Sequence, residues 1–289
     1  MNPEKLLIER VQRTYPEAKE GDILKKFEEV LRRNNLKRDL FRGDFQRKRE
    51  WKRVVKEVKR EIYHLLRQYD RASVQEMEDL FSQIASEYRE NGFSEKCLKL
   101  HLELLSKHVS TERRGNQKDF YQRMWKNIGE PKYLLDVGCG INPFSIPFMG
   151  LKRPLYFGIE KKRKYVILDN KYLKLISNRL EPGSQVIEFK FTKRNVNVWP
   201  SLPYFDVALF LKVIPAMERY DKGIGNLLLQ WAPAEYLILS GSVRAMIKRR
   251  KVFYREKKQI LGMIKELRYE IVDKFQFPDE FVYIVRKVY

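Results

Sequence analysis

The sequence predicts an α/β protein: a doubly wound, mostly parallel sheet that closes on a C-terminal antiparallel hairpin, preceded by an α-helical N-terminal domain. Three observations predict it. Up to residue 107 the apolar residues recur at three- and four-residue steps, the period of a helix. From residue 133 onwards, short apolar runs alternate with helical stretches, as parallel strands buried on both faces do. The last two runs, 269–275 and 281–286, leave no room for a helix between them, so they must pair antiparallel at one edge of the sheet. The expected division is 1–107, helical, and 108–289, the sheet domain.

The longest helix is marked by Trp51, Val54, Val55, Val58, Ile62, Leu65 and Leu66, one apolar stripe. Its other face carries Lys52, Arg53, Lys56, Lys59 and Arg60. Shorter helices are expected over 4–13 and 23–33, with a loop or a frayed helix over 34–49. Ser73 and Glu76 have the spacing of a capping box ahead of Met77, Leu80, Phe81 and Ile84. Asn91-Gly92 ends that helix, and Ser94 caps the next, which runs to Lys107. Beyond Gly129-Glu130-Pro131 the strand candidates are 133–137, 155–160, 186–191, 205–211, 236–240, 269–275 and 281–286.

The 289 residues are 43% hydrophobic, enough for a packed core. Lys and Arg number 59 against 38 Asp and Glu, a net charge of +21. Such a surplus attracts polyanions, nucleic acid foremost; a lysine-rich surface serving solubility is the other reading. Residues 1–130 carry 30 basic and 23 acidic side chains and residues 131–289 carry 29 and 15, so the sheet domain holds most of the surplus. No apolar run reaches membrane-spanning length, and the charged N-terminus lacks the apolar core of a signal peptide. A cytoplasmic protein without a membrane partner is expected. Cys97 and Cys139 lie far apart and form no metal-ligand pattern, so neither a disulfide framework nor a metal site is expected.

The chemistry concentrates at the end of the first strand, where Asp136-Val137 runs into Gly138-Cys139-Gly140-Ile141-Asn142-Pro143. Two glycines there let the backbone turn sharply and approach a ligand closely, in the crevice where open sheets bind ligands. Asp136 can orient that turn or a ligand amino group. Glu160, ending the next strand, can accept both ribose hydroxyls of an adenosine cofactor. Asn142-Pro143 departs from the longer dinucleotide pattern, so S-adenosylmethionine (SAM) is favoured over NAD. A seven-stranded, Rossmann-like SAM-dependent methyltransferase fold follows. A structural turn without a ligand, with Glu160 a solvated strand-end acid, is the alternative.

Three blocks resemble the 16S ribosomal RNA guanine-N7 methyltransferases of the aminoglycoside-resistance (Arm/Rmt) type. They are His108-Val109-Ser110-Thr111-Glu112-Arg113-Arg114, the run Asp136–Pro143 continuing to Pro147 and Met149, and Leu211-Lys212-Val213-Ile214-Pro215-Ala216-Met217-Glu218. The likeness covers 95–289 and marks a distant member. It implies SAM as cofactor and N7 of a guanine in the decoding region (nucleotide 1405) as target, with the small ribosomal subunit and its 16S rRNA as partner. It also implies that Arg114 holds the SAM carboxylate, that Gly138, Cys139, Gly140 and Asn142 shape the turn over its methionine part, that Glu160 binds the ribose, and that Lys212 is needed for activity. The helical domain is implied to dock on the subunit. Arg113 replaces a family Glu. The adenine-reading Asp is absent, leaving Thr192, Asn195 or a backbone carbonyl in that region. Ser240-Gly241-Ser242-Val243 lacks the family's base-holding Phe.

Guanine N7 has a lone pair in the ring plane, so no general base is expected; Lys212 positions. Arg244, Lys248, Arg249, Arg250, Lys251, Arg255, Lys257 and Lys258 form the densest basic run and are expected, with Lys161 and Lys162, to meet RNA phosphates. Tyr204, Phe144 and Tyr254 are the aromatic candidates for holding a base, with ordinary packing the other reading of each. The chain is expected to act as a monomer. Methylation of another RNA or base position, and a non-catalytic RNA-binding role, remain open alternatives.

Overall fold

The computed structural model describes residues 2–16, 18–37, 41, 43–67, 72–108, 110–111, 116–197, 203–243 and 252–288. The chain forms two compact units, Met1–Tyr69 and Asp70–Tyr289.

Among the described residues the first unit packs three helices, α1 (Pro3–Gln12), α2 (Glu20–Arg33) and α3 (Arg49–Arg67). The expected stripe is their seam: Trp51, Val54, Val58 and Ile62 are buried against Leu7, Val11, Ile23, Phe27 and Val30. The stretch expected to be a loop or a frayed helix still contributes to the core. Phe41 and Phe45 lie buried with their rings 5.4 and 4.9 Å from that of Trp51, edge to face.

The second unit opens with α4 (Val74–Asn91), α5 (Glu95–Ser106) and α6 (Gln117–Trp125). The Ser73–Glu76 capping box forms as expected, with both reciprocal hydrogen bonds. Met77, Leu80, Ile84, Cys97, Leu104 and Leu105 share one core with the sheet residues Leu134, Val207, Leu209 and Ile284. That burial places the compact boundary near residue 70, ahead of the expected 107/108, because α4 and α5 turn their apolar stripes onto the sheet. Helix α6 carries no pattern singled out in the sequence.

There follow β1 (Tyr133–Val137), a 3-10 turn (Asn142–Ser145), α7 (Ile146–Met149), β2 (Leu155–Glu160), α8 (Arg163–Leu175) and β3 (Gln185–Glu188). Then come β4 (Phe205–Phe210), α9 (Val213–Glu218), α10 (Ile224–Trp231), β5 (Ala234–Ser242), α11 (Phe253–Glu266), β6 (Glu270–Gln276) and β7 (Glu280–Arg286). Among the described residues these make one seven-stranded sheet in the order β3-β2-β1-β4-β5-β7-β6. The first five strands run parallel; β7 enters antiparallel between β5 and β6, the expected hairpin.

Alternate residues of the strands face alternate layers. Leu134, Val207 and Ile238 join α4–α8 on one side; Leu135, Ala208 and Leu237 join α9–α11 on the other. Strand β3 is shorter than expected and ends at Glu188; just beyond it Phe189 and Phe191 pack edge to face at 4.9 Å. Strand β5 is longer, running through Gly241 to Ser242, where a side chain at 241 would collide with the Phe281 ring. No helix among the described residues is long and apolar enough to cross a membrane.

Candidate functional site

Strands β1, β2 and β4 end side by side, and the glycine turn sits over them. Gly138 and Gly140 have φ of +68° and +57°, left-handed geometry that favours glycine. A Cβ at Gly138 would stand 2.6 Å from Val213 Cγ2, and one at Gly140 2.9 Å from His108 Cε1. The turn is tied down by backbone donors: Gly138 N–H and Cys139 N–H both reach the Ile159 carbonyl, at 2.7 and 3.2 Å.

Asp136 anchors the turn from below. It is 1% exposed, and its Oδ2 accepts from Asn142 Nδ2 at 2.6 Å and from the Tyr156 hydroxyl at 2.5 Å. Asn142 in turn accepts from the Tyr121 hydroxyl at 2.8 Å and from Ser145 Oγ at 3.2 Å. Of the two roles expected for Asp136, orienting the turn is the one this geometry displays. Burial, together with the Asp136 charge, pushes the Tyr156 hydroxyl far above the usual phenol range and keeps it a donor.

Glu160 belongs to the same assembly. It is buried, and its Oε2 accepts from Gly140 N–H at 3.1 Å while Oε1 accepts from Lys162 N–H at 2.9 Å. Those bonds fix the carboxylate at the strand tip, so the reading as a solvated acid does not hold. The Cys139 side chain points into the core beside Asp169 (4.0 Å between Sγ and Oδ2), and burial holds its thiol well above the ordinary range. Its part in any site is therefore that of its backbone. Asp169 is wholly buried, and desolvation, with Glu160 and Asp136 nearby, raises its carboxyl well above normal.

Lys212 follows β4 and caps α9 in left-handed geometry, φ +59°. Its Nζ, 3% exposed on the side chain, pairs with Glu280 Oε2 at 3.1 Å and donates to the Ser110 carbonyl at 3.0 Å. Its N–H donates to Ser240 Oγ at 2.9 Å, and Ser240 donates onward to Glu280 Oε1 at 2.5 Å. Of these three partners, Ser110 and Ser240 stood in longer sequence blocks without a role of their own, and Glu280 was marked only as an acid opening the apolar run 281–285.

Thr192 lies half-buried in the loop after β3, its N–H donating to Asn195 Oδ1 at 2.7 Å, while Asn195 Nδ2 reaches the Lys190 carbonyl at 3.0 Å. Asn195 is thereby committed to holding the loop. Lys161 is exposed, with Nζ 5.5 Å from the centre of the Tyr220 ring, itself 52% exposed. Tyr220 was not among the expected aromatics. Lys162 Nζ lies 5.4 Å from the Tyr165 ring. Tyr204 and Tyr254 are exposed, as a base-holding residue must be. Phe144 is not: it is fully buried, stacked on Tyr172 at 4.2 Å, and packs the core. Arg113, Arg114, Arg244, Lys248, Arg249, Arg250 and Lys251 lie outside the described residues. Among those described, no group of three or more His, Cys, Asp or Glu side chains could hold a metal ion.

A sheet in this order, with its one antiparallel insertion and a two-glycine turn facing a strand-end acid, defines the Rossmann-like methyltransferase class. A crystal structure of the 16S rRNA methyltransferase RmtF, in complex with S-adenosyl-L-homocysteine, shares the fold: TM-score 0.64 at 19% identity, covering 100% of this chain and 99% of that one. The chain belongs to the family described as ribosomal RNA methyltransferase (FmrO), whose model matches residues 95–284. Among curated relatives, a 16S rRNA (guanine(1405)-N(7))-methyltransferase of Micromonospora echinospora is 22% identical over 186 residues, 63% of this chain and 64% of its own length. One of the same name from Micromonospora rosea is 21% identical over 200 residues, 68% of this chain and 70% of its own.

Proposed function

We propose that the chain is a SAM-dependent methyltransferase that modifies N7 of a guanine in 16S rRNA, guanine 1405 of the small ribosomal subunit. The observation that carries this reading is the glycine turn held over a fixed Glu160, in a chain of the rRNA methyltransferase family. The names of the relatives support the base and the atom.

The residues fit the cofactor. The turn presents backbone without side chains at two left-handed positions. The Glu160 carboxylate offers about four lone-pair sites, and the Gly140 and Lys162 N–H groups take one on each oxygen. The ribose hydroxyls would bind there. Gly138, Cys139 and Gly140 would lie along the methionine part through their backbone, with Asp136 and Asn142 holding the turn in shape. Arg114 would pair with the SAM carboxylate, bidentate, and Thr192 would line the adenine side.

Bound SAM supplies a methyl group on a positively charged sulfur. Guanine N7 already carries an in-plane lone pair and loses no proton before it reacts. The chain therefore supplies alignment and no general base, with Lys212 as a positioning residue. Arg244, Lys248, Arg249, Arg250, Lys251, Lys161 and Lys162 would contact RNA phosphates, which suits the net charge of +21. Tyr204 and Tyr254, two exposed aromatics, would hold a flipped base. The N-terminal helices, 1–107, would dock the protein, as a monomer in the cytoplasm, on the small subunit. Aminoglycoside resistance is the expected phenotype of that methylation.

Incubation with radiolabelled SAM and purified 30S subunits, followed by borohydride–aniline cleavage and reverse transcription, tests this. Label in 16S rRNA with a cleavage stop at guanine 1405 is expected. Label at another nucleotide, or label without cleavage, would move the activity to another target, and no label would remove it.

A further inference from the structure

Lys212 is buried, and a buried ammonium must be matched by fixed partners. Glu280, 0% exposed at the first position of β7, is that match. The pair ties four chain segments together: the end of β4 through Lys212, the end of β5 through Ser240, the start of β7 through Glu280, and the segment before α6 through the Ser110 carbonyl. That last segment is not passive. Ser110 Oγ lies 2.6 Å from His108 Nδ1, and the His108 ring faces Gly140 so closely that a Cβ there would come within 2.9 Å. A continuous chain of contacts therefore runs from Glu280 through Lys212, Ser110 and His108 to the glycine turn.

We propose that Glu280 is a positioning residue for methyl transfer. It acts through Lys212: its charge fixes the ammonium between β7 and the Ser110 carbonyl, and so sets where Ser110 and His108 lie against the glycine turn. This rests on the reading of the site as a SAM-dependent one. Ser240 serves the same end by orienting the Glu280 carboxylate while it accepts from the Lys212 backbone, which helps hold that residue in its left-handed turn. The ion pair is thus part of the site's construction, although Glu280 itself touches neither reactant.

A double-mutant cycle separates this from an ordinary structural ion pair. The chains are wild type, Glu280→Gln, Lys212→Gln and the double variant. Glu280→Gln keeps the shape and an acceptor for Ser240 but removes the charge. Single-turnover methylation of 30S subunits should fall about a hundredfold in Glu280→Gln, with subunit affinity within about threefold of wild type. The double variant should be no slower than Lys212→Gln alone. Glu280→Asp, which keeps the charge, should recover part of the rate and covers the case in which Glu280→Gln does not fold. Amide hydrogen exchange over 104–111 is the second readout and needs neither donor nor RNA: each single variant should speed it, and the double no further. Additive effects in both readouts, or a Glu280→Gln rate within about twofold of wild type, would overturn the proposal. Absence of any methyl transfer by wild type would sink the functional reading instead, and the exchange cycle would still decide whether the coupling exists.

Discussion

The two halves of the site are held by different physics. On the β1–β2 side, Asp136 and Glu160 are carboxylates bound by hydroxyl, amide and backbone N–H donors within 24 residues of one another. Their donors among the described residues are uncharged, as suits a rigid floor that must tolerate a charged ligand above it. On the β4–β5–β7 side an ammonium and a carboxylate are buried together, and their partners come from positions 110, 212, 240 and 280. Such a pair is worth little as stability and much as geometry, since removing either member takes away the opposite charge buried beside the other. One half shapes a surface; the other fixes a distance between chain segments.

The seam between the halves is Gly138 against Val213, so the sharpest break is there. Gly138→Ala puts a methyl 2.6 Å from a β-branched side chain at a φ of +68°. Strain and collision together should cost about 3 kcal/mol, a loss in SAM affinity of about a hundredfold or more by calorimetry. Asp136→Ala breaks only the first half, leaving Asn142 Nδ2 and the Tyr156 hydroxyl buried without their acceptor. Denaturant melts should show a loss of about 3 kcal/mol.

The floor of the first half also sets a pH limit. His101 is buried beneath it, with Nε2 3.0 Å from the Tyr172 hydroxyl and Nδ1 2.7 Å from the Cys97 carbonyl. Those partners suit a neutral ring: Nδ1–H donates and Nε2 accepts. Burial pushes its pKa from 6.5 down to about 4. Above pH 6.5 the ring is neutral whether the chain is folded or not. As pH falls, the unfolded chain takes up the proton first, so stability is lost through the window down to about 4. The loss should reach roughly 2 to 3 kcal/mol, and a His101→Gln chain should lack this component of the pH dependence.

The same contrast explains what the sequence revealed. The sheet, its hairpin and the first half of the site were legible because their signals are contiguous: apolar runs, a strand meeting two glycines, an acid ending the next strand. The second half was only partly legible. Lys212 and Ser110 stood in recognisable blocks, but nothing along the chain linked them to each other, to Ser240 or to Glu280, and the four meet only once β7 inserts beside β5. Phe144 was left between base holding and packing because a turn position says nothing about which way a ring points; Tyr172 and the surrounding core claim it. A related limit applies to α4 and α5. An amphipathic helix announces that it has an apolar face, not which unit will bury it, and α4 and α5 chose the sheet.

Glu160 bears most directly on the central claim, that the glycine turn and the acid beside it form a donor site. Calorimetry with S-adenosylhomocysteine should show one molecule bound per wild-type chain, and about tenfold weaker binding to Glu160→Gln. A wild-type chain that takes up none, or a Glu160→Gln chain that binds as tightly as wild type, would contradict it.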